Sequence, residues 1–348
     1  MNLNPVGWAS PSLRIVARLL NSGVNSAVPV TAISEAPTGA VNMDLALIAE
    51  GTGATLAQVP DGTVAGGDKR GNRSTDWQKI RTAANQVASG PSSVIGGGEN
   101  NIASGARSTV GGGISNRASG GFATIGGGTS NTASSSVDVV SGGNSNSASG
   151  GVSFVGGGFA NSAAGSSAVV VGGTFNTASG SYSAIMGGYF GTTRNIAGYH
   201  VFPACDRPIA SAYGVSQAAL LVLGRQTTDD TATVLRSDAN AAGTTNQVIL
   251  PNNSAYSFSG EVIAGVTGGG DTARWTINGA IKRGANAAST AMVGTATVTM
   301  THNDAGAAAW VVAVTADTTN GGIAVTVTGA AATTIRWVCR ISTVEMTY

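Results

Sequence analysis

The sequence predicts an all-β chain: a parallel β-roll, or β-helix, built from a fifteen-residue repeat, followed by a C-terminal β-sandwich of jelly-roll kind. Three observations carry this. Val or Ile recurs every fifteen residues at Ile95, Val110, Ile125, Val140, Val155, Val170 and Ile185, with Asn at the same step from Asn101 to Asn176 and Ala from Ala103 to Ala178. Charged residues make up only 10 % of the 348 residues while glycines number 52. Beyond about residue 214 the period gives way to strand-like runs separated by turn clusters.

Seven periods without an insertion mark a stacked solenoid. Fifteen residues are too few for two packed helices, and Gly at this density opposes any helix. Two short strands and two turns per coil fit instead. The Val/Ile line points inward as the core of the repeat, and the Gly pairs that follow (Gly97-Gly98, Gly112-Gly113 and so on) supply corners with φ > 0. The aligned Asn residues turn the chain and form a ladder. The positions Glu99, Ile114, Thr129, Asn144 and Phe159 vary freely and point outward. One Val/Ile and one Ala per coil make a thin core against an ordering cost of roughly 1–2 kcal/mol per residue, so the roll is expected to pack against copies of itself.

Four segments follow: 1–85 before the roll, the roll at 86–190, a connector at 191–213, and a sandwich at 214–348. In the first, Ser12 caps a short helix over Leu13–Leu20 that Gly23 stops. The stretch Val41–Val59 is strand-like and closes at the turn Pro60-Asp61-Gly62. Ser74 to Val87 suits a helix or an extended lead-in, with the extended form preferred. In the last, strands are expected at Ala218–Leu223, Val248–Leu250, Ser257–Ala264, Arg274–Lys282, Ala291–Met300, Ala308–Ala316, Ile323–Thr328 and Thr334–Met346. Trp275, Trp310 and Trp337 fall inside these runs and are assigned to the core.

The composition excludes several classes. A net charge of +1 gives no electrostatic case for nucleic acid or a membrane surface. No apolar run approaches the eighteen residues of a membrane-spanning helix, and Met1 to Ser10 show no secretory signal pattern. Two cysteines, Cys205 and Cys339, are too few for a disulfide framework and are read as buried free thiols. Gly51-Thr52-Gly53 and Gly66-Gly67-Asp68-Lys69-Arg70-Gly71 lack the spacing of nucleotide loops and are turns. His200 and His302 are too few for an intrachain zinc site, so no metal and no cofactor are expected. Asp229-Asp230 are adjacent, and Glu261, Asp271 and Asp304 meet only if the fold brings them together, so no glycosidase carboxylate pair is legible. The expectation is therefore a protein without enzymatic activity.

The units "SSVIGGGENNIASG" and "STVGGGISNRASG" resemble the head repeats of trimeric bacterial adhesins, and more closely those of bacteriophage tail fibres and tailspikes. The flanking "ALIAEGTGATLAQVPDGTVAGGDKRG" and the C-terminal segment from "WTINGAIKRGANAAST" onward look like sequences around such repeats in phage fibres. The resemblance covers the chain from about Ala46. It implies a homotrimeric virion structural protein of the phage tail, made in the host cytoplasm. The N-terminal region would seat it on the tail, a baseplate or an adaptor, and the C-terminal domain would attach to a bacterial surface glycan or protein. Receptor contact is expected at the loop residues Asn252, Asn253, Tyr256, Asp271, Arg274, His302, Asn303 and Asp304, because loops on a rigid sandwich carry binding residues. The alternatives are a depolymerase of host polysaccharide, a passive decoration of the virion, and a fragment of a bacterial trimeric adhesin.

Overall fold

The structure, a computed structural model, describes residues 54–348 apart from 207 and 210–213, together with two short strands near the N-terminus. Those two, Ile15–Arg18 and Val30–Ile33, pair antiparallel. The helix expected over Leu13–Leu20 is therefore corrected at Ile15–Arg18. That segment carries the β-branched Ile15 and Val16, which favour the pleated backbone they occupy. The expected strand at Val41–Val59 lies mostly outside the described residues; its end forms the strand Thr55–Leu56.

The fifteen-residue units form a parallel β-roll. One ladder stacks Val94–Ile95 on Thr109–Val110, Thr124–Ile125 and onward to Ala184–Ile185. A second ladder stacks Ile102–Ala103 on Arg117–Ala118 and onward to Thr177–Ala178. A line of single bridges from Ile80 through Glu99, Ile114, Thr129, Asn144, Phe159 and Thr174 to Tyr189 makes a third edge. Ile95, Val110, Ile125, Val140, Val155, Val170 and Ile185 have no exposed surface, nor do the aligned alanines. The core is thicker than the sequence suggested, because the line Ser93, Ser108, Ala123, Asp138, Ser153, Ala168 and Ser183 is also buried.

The Asn residues form the expected ladder. Each backbone N–H from Asn116 to Asn176 donates to the side-chain oxygen of the Asn one coil earlier, at 2.9–3.0 Å. Each Nδ2 donates to two glycine carbonyls, as Asn131 does to Gly127 and Gly143, both at 2.9 Å. The glycine pairs are unequal, which corrects the assignment of both to left-handed corners. The second member is always left-handed, as at Gly128 (φ +88°), and a Cβ there would meet the Gly143 carbonyl at 2.1 Å. The first, as at Gly127, needs no positive φ in several coils and faces open space. Much of the remaining left-handed geometry falls on residues with side chains, including the β-branched Val137 (φ 62°) and Val152 (φ 56°).

The ladder continues on both sides of residues 86–190. Thr55–Leu56 and Thr75–Asp76 precede it, so Ser74 to Val87 is extended rather than helical. Asp76 stands in register with Ile95 at the end of the hydrophobic line. Its buried carboxylate is held by Arg70 at 2.9 Å and Arg81 at 3.4 Å, with all three side chains at most 1 % exposed. Gln78 closes the Asn ladder, accepting the Asn101 N–H at 2.9 Å and donating to its carbonyl at 2.8 Å.

At the other end Ala184–Ile185 pairs in parallel with β1 (His200–Pro203), and β1 pairs antiparallel with β2 (Ser216–Thr227). The roll thus runs by backbone hydrogen bonding into the C-terminal sheet. That sheet also contains β5 (Ser254–Val266), β6 (Thr272–Arg283), β7 (Ala291–Met292), β8 (Thr297–Asn303) and β11 (Ile335–Thr347), in the order β6-β5-β11-β2-β1, with β7 and β8 on β6. A second antiparallel sheet holds β3 (Thr233–Val234), β4 (Val248–Ile249), β9 (Val311–Asp317) and β10 (Gly322–Thr328). Trp275, Trp310 and Trp337 are each at most 3 % exposed, and Trp337 lies with its ring centroid 5.7 Å from both others. Cys339 is buried, but Cys205 is exposed, which corrects its assignment as a buried thiol.

Candidate functional site: an edge of the C-terminal sheet

Five of the expected receptor residues come together at one edge of the C-terminal sheet. The β6–β8 pairing sets Arg274 opposite His302 and Ala273 opposite Asn303. Asp304 caps the strand end, accepting the Thr272 N–H at 2.9 Å. Asp271 lies against the short 3-10 turn Ala305–Ala307, where a Cβ on Gly306 would fall 2.0 Å from its Oδ2. His302, Asn303 and Asp304 are exposed.

Glu261 on β5, not among the expected receptor residues, joins this group. Arg274 donates through Nη2 to Glu261 Oε1 at 2.6 Å and through Nη1 to Thr301 Oγ1 at 3.3 Å. Arg340 approaches the other Glu261 oxygen at 3.6 Å. Glu261, Arg274 and Arg340, with Ile263 and Val338, line a shallow hollow of about 200 Å³. The strip offers donors and acceptors in alternation over a rigid sheet, with exposed apolar patches at Ile263 and Val338. Such a surface suits the hydroxyls and C–H faces of a sugar chain better than an apolar ligand.

The other expected contacts lie elsewhere. Asn252 and Asn253 occupy the turn before β5, where Asn253 has φ 56° and its N–H donates to Gly284 at 2.9 Å. This is the opposite end of the β5–β6 pair, about 40 Å from Asp271 at strand rise over twelve residues. Tyr256 is corrected outright: it is 1 % exposed and points into the core. The β5 alternation begins at Ser254, so every second residue from there faces inward.

Tyr256 belongs to a buried polar group where the roll meets the sheet. Glu345 accepts hydrogen bonds from Tyr199 and from Gln217 (2.7 Å) and pairs with Arg194, while Thr343 donates to it at 2.7 Å. The Arg194 guanidinium lies 5.5 Å from the Tyr256 ring centroid. Burial, reinforced by the Glu345 carboxylate, raises both Tyr199 and Tyr256 well above the usual phenol range. The group is buried except for part of Arg194 and joins the two parts of the chain.

Other acids have structural duties. Asp138 is buried in the roll and accepts hydrogen bonds from the Ser135, Gly151 and Ser153 amides and the Ser153 hydroxyl, at 2.7–3.0 Å. Asp229 accepts the Thr231 N–H in a surface turn. Among the described residues no three His, Cys, Asp or Glu side chains form a metal-binding group.

The fold is similar to that of solved phage tailspikes. One is the tailspike protein gp49 of the Acinetobacter baumannii bacteriophage Fri1, a capsular polysaccharide depolymerase, at 11 % identity and a TM-score of 0.25. The match covers 80 % of this chain but 48 % of that one, so this chain spans about half its length. A second is the tailspike of the Acinetobacter phage vB_ApiP_P1, at 8 % identity and a TM-score of 0.17, covering 83 % of this chain and 74 % of that one. No protein-family model matches the chain, and no curated protein matches it by sequence. The expectation of a protein without enzymatic activity is corrected: one of the proteins it is similar to is a capsular polysaccharide depolymerase.

Proposed function

We propose that the chain is a phage tail protein that engages the polysaccharide of a bacterial surface through the strip Glu261, Asp271, Arg274, His302, Asn303 and Asp304. The observation that carries this reading is the roll itself. Its units resemble tail-fibre and adhesin heads, and its last coil passes by backbone pairing into the sheet that presents the strip. The roll is monotonous and nearly uncharged, whereas the strip gathers charged and polar groups from three strands. Association of three chains multiplies a weak sugar contact into firm attachment, and the N-terminal region is the part that seats the protein on the tail.

The test uses the full-length chain and polysaccharide purified from a host the phage infects. Binding to the polysaccharide, weakened at least tenfold by Arg274→Ala with Asp304→Ala and unchanged by Asn252→Ala, supports the reading. Absence of binding to any surface polysaccharide of that host overturns it. Measuring reducing ends released in the same mixtures shows whether contact is followed by cleavage.

A further inference from the structure

A second feature lies on the roll, far from the C-terminal strip in sequence. Three successive corners, Asn72-Arg73, Pro91-Ser92 and Ala106-Arg107, line a notch of about 260 Å³. The corners are stacked by backbone hydrogen bonds: the Ser92 N–H donates to the Asn72 carbonyl at 2.7 Å, and the Arg107 N–H to the Pro91 carbonyl at 2.8 Å. Arg73, Ser92 and Arg107 share the left-handed conformation, with φ of 56–57°, so one corner geometry projects all three side chains outward. Two stacking steps of about 4.8 Å separate Arg73 from Arg107. The short Ser92 between them leaves the gap open.

The charges are what make the notch unusual. Both arginines are exposed, neither forms an ion pair among the described residues, and no acidic residue lines the notch. Arg107 is oriented, since its guanidinium carbon lies 5.2 Å from the Phe122 ring centroid on the next corner. Two guanidiniums without an ion pair among the described residues line this one notch, Arg107 fixed against Phe122, and present the forked donors that match a carboxylate. Asn72 and Ser92 add side chains suited to hydroxyls, and Pro91 and Ala106 add exposed apolar surface. The volume is below the ~300–1,000 Å³ of pockets for drug-sized ligands, so it takes one sugar unit rather than an oligosaccharide.

We propose that this notch binds the carboxylate of an acidic sugar residue, such as a uronic acid unit within a polysaccharide. It is distinct from the strip on the C-terminal sheet, and either site can fail without the other.

The experiment titrates the full-length chain with a glucuronate-containing tetrasaccharide and with a neutral N-acetylglucosamine tetrasaccharide, read by ligand-detected NMR. The acidic probe is expected to bind, more weakly as salt rises, and the neutral probe at least tenfold less. Arg73→Gln and Arg107→Gln should each lower affinity about tenfold, the scale of one charge-assisted contact, with melting temperature unchanged. Arg117→Gln, exposed on the second ladder outside the notch, should leave binding as it was. Equal binding of the two tetrasaccharides, no binding of either, or equal loss on Arg117→Gln overturns the proposal. Inorganic phosphate competing as well as the acidic sugar overturns the assignment to a sugar carboxylate. Arg274→Ala should not affect this titration, which separates it from the strip.

Discussion

The Asn116 N–H donates to Oδ1 of Asn101, fifteen residues earlier, at 2.9 Å, and the same bond repeats up the roll. Each Asn side chain therefore satisfies one amide of the next coil and two glycine carbonyls, so nearly all its capacity is spent inside the roll. Asn131→Ala would orphan the Asn146 amide and release the Gly127 and Gly143 carbonyls. At about 1–3 kcal/mol per unsatisfied buried group, a loss of several kcal/mol per chain is expected, read as a lower denaturation midpoint.

Ile125 and Thr129 test the direction of side chains. Ile125 has no exposed surface, and Ile125→Asp buries an unpaired carboxylate at a cost of several kcal/mol. Thr129 lies on the outer bridge line, so Thr129→Asp should melt near the wild-type temperature. Equal melting of the two variants would contradict the assignment.

The glycine pair gives a finer test within one corner. Gly128→Ala combines a left-handed backbone with a Cβ 2.1 Å from the Gly143 carbonyl, whereas Gly127→Ala meets nothing closer than 4.0 Å. Thermal melting should drop sharply for the first and change by less than about 1 kcal/mol for the second.

Alkaline pH should weaken the fold. Burial pushes the Cys339 thiol from 9.0 up to about 12 and raises Tyr199 and Tyr256 above the ordinary phenol value of 10.0. The folded chain holds these protons to higher pH than the unfolded one. Their contribution is whole below pH 9 and is lost as pH rises towards 12, by at most about 4 kcal/mol for the thiol. Denaturant titrations across that window should show the decline, and Cys339→Val should make it shallower.

The roll should associate as a trimer. Val139, Phe154 and Val169 face outward on the first ladder, with the exposed Val171 and Met186 beside them. Light scattering should give three times the 34.1 kDa chain mass; a monomer or dimer mass would remove this part of the reading.

The roll was legible because one period repeated seven times exposes its columns directly. Its N-terminal closure was not, because nineteen residues separate Asp76 from Ile95 and Arg73 from Ser92, breaking the register that reveals a column. The buried ion group of Asp76, Arg70 and Arg81 and the Arg73–Arg107 notch both span that irregular step. In the C-terminal sheet the strands were visible as β-branched runs, but the gathering of Asp271, Arg274, His302 and Asp304 depends on the non-local register of β6 and β8. Tyr256 adjoins the Asn252-Asn253 turn signal, which assigns it to the loop, while its true side follows from where β5 begins.

The pairing of Ile185 with Val201, and of Val201 with Ala219, has a mechanical meaning. A flexible linker would let the C-terminal part swivel and would absorb bending as cheap torsions. Here bending at the junction must stretch backbone hydrogen bonds and shear the buried contacts of Glu345 with Tyr199, Gln217 and Arg194. The joint behaves as a stiff splice, so a sideways push on the outer end is carried down the roll as torque and is not dissipated where the two parts meet.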